Sequence, residues 1–391
     1  MTHQAQFRVG VIGTGFVARH FTHELGRRPE YHLASVLTRR SLDRVAEFPR
    51  PEALTDSLDA LIEASDVVFE CTGDVLYAAR TVGRVLDARK PVVTLNAEFH
   101  VTVGSHLVER GVLSEAEGDQ PGCLAALREE ALAMGFTPLV YGNMKGFLNR
   151  NPTPEDMAFW SRRNGISLPM VTAFTDGTKL QVEQCLVANG LGADIAKEEL
   201  LGPAIDDLTE GAHRLAKAAA RHGRPISDYL LSSQLPHGVF IVATHDERQR
   251  DALRYLKMGE GPYYVLVKRN IFVHLEVFKT IERIMSGAPP LLNNSRTPQV
   301  SVASLAKRRL MPGETIARGC GGFDLRGICV NMVDHPGHVP ICLAVDLHVR
   351  RRVEPGQILT MEDAELPETE ALSAWQAVER RALESQQARA S

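Results

Sequence analysis

A glycine-rich turn near the N-terminus constrains this chain more than any other feature. An apolar run, Val9–Ile12, is followed by a G-x-G-x-x-A pattern and then by a helix-like segment. Gly13 permits the tight turn, Gly15 lets the backbone approach a pyrophosphate, and Ala18 lets the helix pack closely on the strand. The pyrophosphate would lie on the free N–H groups of the helix N-terminus. This context predicts a dinucleotide-binding Rossmann unit, and the alternative is a glycine turn of another α/β protein.

The end of the next predicted strand bears on which dinucleotide is bound. Tyr31–Leu37 is a strand-like run that ends about 20 residues after the motif, where an NAD site usually places a carboxylate on the ribose. This chain has Thr38, Arg39 and Arg40 there instead. A guanidinium pairs with a 2′-phosphate, which a carboxylate would repel. The pattern favours NADP(H) over NAD(H), and the alternative is that both arginines are ordinary surface residues.

Charge, length and cysteine use exclude several classes of protein. The 391 residues carry a net charge of −4 with both signs mixed, so neither nucleic acid nor an anionic membrane is an expected partner. No apolar run reaches transmembrane length, and the N-terminus lacks a signal-peptide pattern. The six cysteines are scattered without a C-x-x-C pair, which is typical of reduced thiols. We therefore expect a cytoplasmic protein.

Further polar residues follow two more buried-strand patterns. Asp66–Gly73 and Lys90–Asn96 are apolar runs of the kind expected for parallel strands covered on both faces. Ligands bind at the carboxyl ends of such strands, which places the residues that follow them near the nicotinamide. The predicted cofactor-binding residues are Gly13, Gly15, Phe16, Val17, Ala18, Thr38, Arg39, Arg40, Thr72, Gly73, Asn96, Ala97 and Glu98.

The pattern along the chain predicts an α/β protein of three parts. Residues 1–146 form the NADP-binding Rossmann domain, 147–300 an α+β domain for catalysis and oligomerisation, and 301–391 a small β domain with a tail. Alternation of strands and helices places Thr137–Tyr141 as a strand at the end of the first domain. Pro169–Phe174 is interpreted as a strand of the second domain. We expect a homo-oligomer.

A helix in the second domain carries the clearest sign of chemistry. Asp176 is predicted to cap a helix on which Lys179 and Glu183 lie in the same stripe as apolar residues. Charges in an apolar stripe face inward, which is costly unless they are paired or used. The Lys-then-Glu order is the weaker one for simple helix support. This pattern favours an active-site face, and the alternative is a structural ion pair.

Lys145 is the fourth catalytic candidate. It lies in a glycine-rich turn after the Thr137–Tyr141 strand, where a flexible ammonium group can reach substrate, although a solvent-exposed turn lysine is the alternative. Together these side chains supply a general acid and charge stabilisation for a polar substrate. The predicted catalytic residues are Lys145, Asp176, Lys179 and Glu183.

Several motifs resemble known oxidoreductases. The Rossmann start, Glu70-Cys-Thr-Gly73 and Val93-Thr-Leu-Asn96 resemble the cofactor domain of homoserine dehydrogenase. In that family a lysine follows the asparagine, where this chain has Ala97, and the other catalytic lysine position falls on Glu183. These two departures argue against homoserine as substrate.

A closer resemblance covers most of the chain. The sequence resembles oxidoreductases with a C-terminal SAF domain, including the 1-deoxy-D-xylulose 5-phosphate reductoisomerase-like (DRL) enzymes. Its motifs are Leu95-Asn-Ala-Glu98, Gly118-Asp-Gln-Pro-Gly122, Gly142-Asn-Met-Lys-Gly146, Asp176-Gly-Thr-Lys179 with Glu183, Pro312-Gly-Glu314 and Val353-Glu-Pro-Gly-Gln357. The resemblance implies NADPH-dependent reduction of a substrate held between the first two domains, and pairing of subunits through the second. A reductoisomerase would also need a divalent metal ion, for which Asp176, Glu183 and Glu98 are candidate ligands.

The resulting hypothesis is an NADP(H)-dependent oxidoreductase acting on a small polyhydroxylated carbonyl or alcohol, with or without a phosphate. A second hypothesis within the enzymes is a 1-deoxy-D-xylulose 5-phosphate reductoisomerase. The alternative from another class is a nucleotide-binding sensor that keeps the fold without the chemistry. Buried, inward-facing charges argue against a sensor, which has no use for them.

Overall fold

The N-terminal part of the computed structural model is a six-stranded parallel sheet. The structure describes residues 7–45 and 47–390, so the predicted outer limits 1 and 391 lie outside the described residues. The strand order is β3-β2-β1-β4-β5-β6, the doubly wound arrangement of dinucleotide-binding folds. The strands are β1 Phe7–Ile12, β2 Tyr31–Leu37, β3 Leu54–Thr55, β4 Val67–Glu70, β5 Val92–Thr94 and β6 Leu113–Glu115. The predicted Rossmann unit is confirmed.

Helices connect these parallel strands. They are α1 Phe16–Leu25, α2 Leu58–Ala64, α3 Val75–Asp87, α4 Ala97–Phe99 and α5 Ser105–Leu107. A π-helical turn, His100–Gly104, joins α4 to α5. Strands β1 and β4 are adjacent at the centre of the sheet, where the strand order reverses. A ligand of such a fold binds at the carboxyl ends of those strands.

A second, mixed sheet of four strands follows, in the order β10-β9-β7-β8. Its strands are β7 Thr137–Lys145, β8 Ile226–Leu231, β9 Gly238–Thr244 and β10 Tyr264–Arg269. The strand that sequence patterning placed at the end of the first domain is β7, and it pairs with β8 and β9 in this second sheet. That placement was wrong because alternation along the chain does not say which sheet a strand joins.

The helices of this part of the chain are α6 Gln120–Ala133, α7 Pro154–Asn164, α8 Leu168–Asp176, α9 Thr178–Leu191, α10 Leu208–His222, α11 Arg250–Tyr255 and α12 Val277–Met285. The last of them, α12, packs on the parallel sheet, where Phe278 stacks on Phe21. The strand predicted at Pro169–Phe174 is wrong, since these residues form α8. A short apolar run has no decisive period, and the flanking residues decide: Pro169 suits a first helical turn, and Gly177 ends the helix at φ 87°.

The C-terminal part forms two small antiparallel sheets and a long helix. The strands are β11 Val300–Ala306, β12 Thr315–Arg318, β13 Leu325–Asn331, β14 Val345–Val349 and β15 Ala364–Glu365, and the helix is α13 Glu370–Ala390. β11 pairs with β13, and β14 lies between β12 and β15. Helix α13 returns to pack on α3, α5 and the π-helical turn, with Trp375 buried. The C-terminal part therefore packs against the N-terminal part through α13.

Helix α9 is the centre of the molecule. It packs against α4, α6 and α8, against β8 of the second sheet, and against β11 and β13 of the third part. Every residue from Thr178 to Ala188 is buried. The predicted inward-facing stripe with Lys179 and Glu183 thus belongs to a helix that is buried on all sides, because three parts of the chain surround it. Within the described residues, no helix is long and apolar enough to cross a membrane.

Candidate functional site

The glycine turn has the geometry that a dinucleotide requires. Gly13 has φ +125°, and a Cβ there would lie 3.3 Å from the carbonyl oxygen of Cys71. Helix α1 begins at Phe16 with Gly15 at its N-cap position and no side-chain cap. Its first N–H groups are therefore available to an anion such as a pyrophosphate. These residues fit the predicted cofactor, which would supply or accept a hydride.

The two arginines after β2 differ in their surroundings. The guanidinium of Arg39 lies 2.6 Å from Asp74 and 4.3 Å above the ring of Tyr77. The backbone N–H of Arg40 donates to the Thr38 hydroxyl at 3.1 Å. A hollow of about 720 Å³ lies beside both arginines and is also lined by Tyr77. This volume, at the end of β2, suits the adenosine half of the cofactor.

Buried Glu70 organises the turns that follow β4 and β5. Its carboxylate accepts hydrogen bonds from the backbone N–H and hydroxyl of Thr72, from the Thr94 hydroxyl and from the Asn96 amide, at 2.5 to 3.4 Å. Burial raises the pKa of Glu70, against the effect of these donors. The Asn96 side chain also accepts the N–H of Phe99, so it caps α4. Of the predicted cofactor residues, Thr72 and Asn96 thus have their side chains engaged within the protein.

Lys179 carries a buried positive charge within the site. Its Nζ lies 2.9 Å from Glu98 and 3.5 Å from Asp119, and its side chain is nearly inaccessible. Burial alone would lower its pKa, but Glu98, Asp119 and Glu183 outweigh that effect and hold the pKa well above the usual value. Lys179 is therefore a permanent positive charge. Its ion-pair partners are Glu98 and Asp119, and Glu183 is not hydrogen-bonded to it.

Glu183 and Lys145 form the titratable part of the site. Glu183 is buried on α9 and accepts a hydrogen bond from the Asn143 amide at 3.0 Å. Burial, reinforced by the negative charge of Asp119, raises its pKa to about 8. Lys145, half-buried at the end of β7, has its pKa lowered by burial and by Lys179, against the attraction of Glu183. The protonation states of these two groups are therefore coupled.

Asp176 is the last residue of α8 and has both oxygens engaged. One accepts the backbone N–H of Thr178 at 2.9 Å, and the other accepts Lys307 from the third part at 2.5 Å. The predicted cap at Asp176 is wrong, because the N-cap position of α9 is Gly177 and Asp176 ends the preceding helix. Burial raises the pKa of Asp176, and Lys307 opposes this rise. Asp176 therefore fixes the start of α9 and connects it to the C-terminal part.

The structure places Lys145, Asp176, Lys179 and Glu183 on the adjoining elements β7, α8 and α9, and brings Glu98 to them from α4. Three participants were missed: Asn143, Asp119 and Lys307. Asp119 stands before the Gln-Pro start of α6, and this capping signal was readable in the sequence. Nothing local in the sequence marks Lys307, which comes from 131 residues away.

The carboxylates do not fit a divalent metal ion. Glu98 faces Lys179, Asp176 faces Lys307, and the pKa of Glu183 is raised to about 8, so it is largely protonated near pH 7. Within residues 7–45 and 47–390, no group of three or more His, Cys, Asp or Glu side chains could hold a metal ion. To bind a metal ion, Glu98 and Asp176 would first have to lose their ammonium partners, and Glu183 would have to lose its proton.

Residues 118–277, which include the four predicted catalytic residues, match the family described as oxidoreductase DRL, catalytic domain. The match indicates an oxidoreductase catalytic domain over these residues. The predicted resemblance to DRL enzymes is confirmed over these residues. No curated protein is significantly similar to the chain in sequence.

Solved structures resemble the chain distantly. A probable dehydrogenase from Thermotoga maritima has a TM-score of 0.43 at 15% identity, covering 73% of this chain and 91% of its own. UDP-N-acetylglucosamine 3-dehydrogenase from Acidithiobacillus ferrooxidans has the same TM-score and identity, with 74% and 92% covered. A dehydrogenase from Clostridium difficile has a TM-score of 0.42 at 13% identity, with 74% and 94% covered.

Proposed function

We propose that this protein is an NADP(H)-dependent oxidoreductase that interconverts a small polyhydroxylated carbonyl compound and its alcohol. The observation that carries the proposal is the arrangement of Lys145, Lys179 and Glu183 between the cofactor sheet and the second sheet. The reaction moves a hydride between cofactor and substrate carbon, and a proton must reach or leave the substrate oxygen at the same time. These three side chains provide for the proton and for the developing charge.

Lys145 is the proposed proton donor. Its pKa is lowered by burial, so it yields a proton more readily than an ordinary lysine, and part of it remains exposed at the end of β7. Glu183, with a pKa raised to about 8, would return the proton to Lys145. A general acid works best when its pKa lies near the working pH. In the alcohol-oxidising direction the same two groups would accept the proton.

Lys179 has a different proposed role. Glu98 and Asp119 hold it charged and orient its ammonium group, whose third N–H would donate a hydrogen bond to the substrate oxygen. Glu98 lies on the helix that follows β5, so this donor is oriented jointly by the cofactor domain and the catalytic domain. Asp176, with both oxygens engaged, positions α9 and would not contact the substrate.

The dense charge in the site favours a hydroxyl-rich substrate. Hydroxyl groups can donate to carboxylates and accept from lysines, so a sugar-like compound matches the charged lining of the site better than an apolar compound does. The enzyme from Acidithiobacillus ferrooxidans is named for a sugar nucleotide substrate. We propose no metal-dependent rearrangement, since the carboxylates do not fit a metal ion.

A substrate screen tests this proposal. Absorbance of NADPH at saturating concentration would be followed over tetroses, pentuloses, sugar acids, inositols and their phosphates, with the Lys145→Met variant as the control. Oxidation of NADPH by the native protein and not by the variant would support the proposal. Native protein that binds NADPH but oxidises it with no member of the panel would support the sensor instead.

A further inference from the structure

The loop between β8 and β9 crosses the carboxyl end of β7, where Lys145 lies. In the sheet, β7 runs parallel to β8 on one side and antiparallel to β9 on the other, so the loop has to pass over its end. At the start of this loop the N–H of Ser232 donates to the carbonyl of Lys145 at 2.9 Å. His237 is the last residue of the loop before β9. The loop therefore brings an imidazole to the strand end that carries the proposed proton donor.

The strand register places His237 beside Lys145. In the antiparallel pair of β7 and β9, Met144 lies opposite Gly238, so the next position along the pair sets Lys145 opposite His237. Because side chains alternate along a strand, both share the face of Asn143, whose amide lies 3.0 Å from a carboxyl oxygen on α9. Residues opposite each other in such a pair have Cβ atoms about 4.5–5.5 Å apart. The two side chains are thus neighbours on the face that carries the site.

The backbone of His237 is held on the β10 side as well. Its carbonyl accepts the N–H of Asn270, which directly follows β10, at 3.0 Å. A Cβ at Gly238 would overlap the carbonyl oxygen of Lys268, so only glycine permits this close approach of the two strands. The side chain of His237 nevertheless remains exposed to solvent. His237 therefore combines a fixed position with access to water.

Charged groups from the neighbouring elements act on the His237 ring. Partial burial lowers its pKa, the ammonium group of Lys145 lowers it further, and the carboxylate of Asp119 opposes both effects. On β10, Lys268 is held in ion pairs with Glu117 and Glu276. On α9, the charges that act on Lys145 are those of Glu183 and Lys179. The ring is therefore largely neutral at neutral pH and can take up or release a proton.

The proposed reaction needs a route for protons from solvent. Each carbonyl reduction takes a hydride from the cofactor to the carbon and a proton from Lys145 to the oxygen. Lys145 and Glu183 together are then one proton short. Glu183 is buried, so it can store a proton but does not meet the solvent. The replacement proton has to arrive through a group that adjoins Lys145 and is open to water.

We propose that His237 is the proton port of this site: its ring takes a proton from solvent and passes it to the amine of Lys145 after each carbonyl reduction. An N–H bond of the imidazolium breaks as an N–H bond of the ammonium forms, so this step needs neither an oxidant nor a reductant. In alcohol oxidation the proton leaves by the reverse path. The proposal rests on the proposed function, in which Lys145 is the proton donor. His237 acts through Lys145 and does not contact the substrate.

An NMR titration tests the position of His237 without any turnover. The Cε1–H resonances of the histidines would be followed against pH in the native full chain and in Lys145→Met, with His237→Gln identifying the resonance. Loss of the neighbouring ammonium group should raise the pKa of His237. The resonance of His32, exposed on β2, should titrate identically in all three proteins. A His237 resonance that titrates identically with and without Lys145 would overturn the proposal.

Steady-state kinetics in dilute buffer tests the port itself. With the substrate identified by the screen, His237→Ala should lower kcat by about 10-fold, less than the roughly 10²-fold loss of a group that protonates the substrate, because water can replace the port slowly. KM should change little. Added imidazole should restore the kcat of His237→Ala and leave that of the native protein unchanged. His32→Ala should match the native protein with and without imidazole, and melts would show that both variants fold.

The other outcomes separate this proposal from the proposed function. A kcat of His237→Ala equal to the native value, or a lowered kcat that imidazole does not restore, would overturn the port and leave the oxidoreductase. A loss confined to KM would make His237 a substrate contact and would also overturn the port. Native protein that turns over no substrate of the panel would overturn the proposed function, and the port with it, even where the NMR titration places His237 beside Lys145.

Discussion

The Nζ of Lys179 lies 2.9 Å from a carboxylate oxygen of Glu98, although 81 residues separate them in the chain. Both side chains are buried, so the pair is formed away from the solvent. Glu98 lies on the helix after β5 of the parallel sheet, and Lys179 lies on the central helix α9. The charge that we assign to catalysis is thus oriented by the domain that would hold the cofactor.

Lys179→Met should lower kcat by at least about 10²-fold, the usual scale for a positioned electrostatic group. It should also lower the free energy of unfolding by about 3–5 kcal/mol, because Glu98 is left buried without its partner. Steady-state kinetics and thermal melts would measure the two effects. Cofactor affinity should change little.

A double variant separates the catalytic role of Lys179 from a structural one. Lys179→Met with Glu98→Gln removes both charges, so much of the lost stability should return while kcat stays low. Recovery of turnover together with stability would mean that Lys179 is only a structural ion-pair partner.

Lys145→Met should also lower kcat by at least about 10²-fold, as expected when a proton donor is removed. The side chain is mostly buried, so a thermal melt of the variant should accompany the kinetics to show that it folds. For carbonyl reduction by the native protein, kcat/KM should fall as the pH rises and Lys145 loses its proton. Glu183→Gln should move that fall to lower pH, since the Glu183 carboxylate raises the pKa of Lys145. Lys217→Met, exposed on α10, serves as the control and should leave the profile in place.

The pH dependence of stability should report on Glu183. Its pKa is about 8 in the folded protein and near 4.5 when unperturbed, so the folded state binds this proton more tightly than the unfolded state. The contribution of Glu183 to the free energy of unfolding is therefore at its maximum below about pH 4.5, and it is lost as the pH rises toward 8. The difference between the Tm of Glu183→Gln and the Tm of the native protein should increase in favour of the variant from pH 5 to pH 8. Glu130→Gln, exposed on α6, should show no such trend, and a parallel shift in both variants would contradict the expectation.

The glycine turn predicts a selective loss of cofactor binding. Gly13→Ala would require a residue with a side chain at φ +125° and would place a Cβ 3.3 Å from the Cys71 carbonyl. The strain should cost about 1–3 kcal/mol and displace the turn from the pyrophosphate. NADPH titration and a melt would measure both effects. Gly26→Ala, where φ is −63°, should leave cofactor binding intact.

The four-stranded sheet leads us to propose a dimer. β10 has a hydrogen-bonded neighbour, β9, on one side, whereas the other edge strand, β8, is bridged by Asp194 and Ala204. An open edge can pair with the same strand of a second copy across a two-fold axis. Sedimentation at micromolar concentration should give about twice the mass of one chain, and a mass near that of a single chain would contradict the proposal.

The sequence by itself determined the parts of this protein whose signals are local. The glycine turn, the buried parallel strands and the position of Lys145 at a strand end follow from backbone sterics and hydrophobic patterning over a few residues. Those signals also led to the error at Pro169–Phe174, because a short apolar run has the same composition in a buried strand and in a buried helix.

Only the tertiary structure decided which charges meet. Sequence patterning predicted inward-facing Lys179 and Glu183, but it could not show that Lys179 pairs with Glu98 and Asp119, or that Asp176 pairs with Lys307. Such pairs join residues far apart in the chain, and their strength depends on burial produced by three parts of the molecule closing around α9. The same closure raises the pKa of Glu183 to about 8, because desolvation exists only once the core is formed.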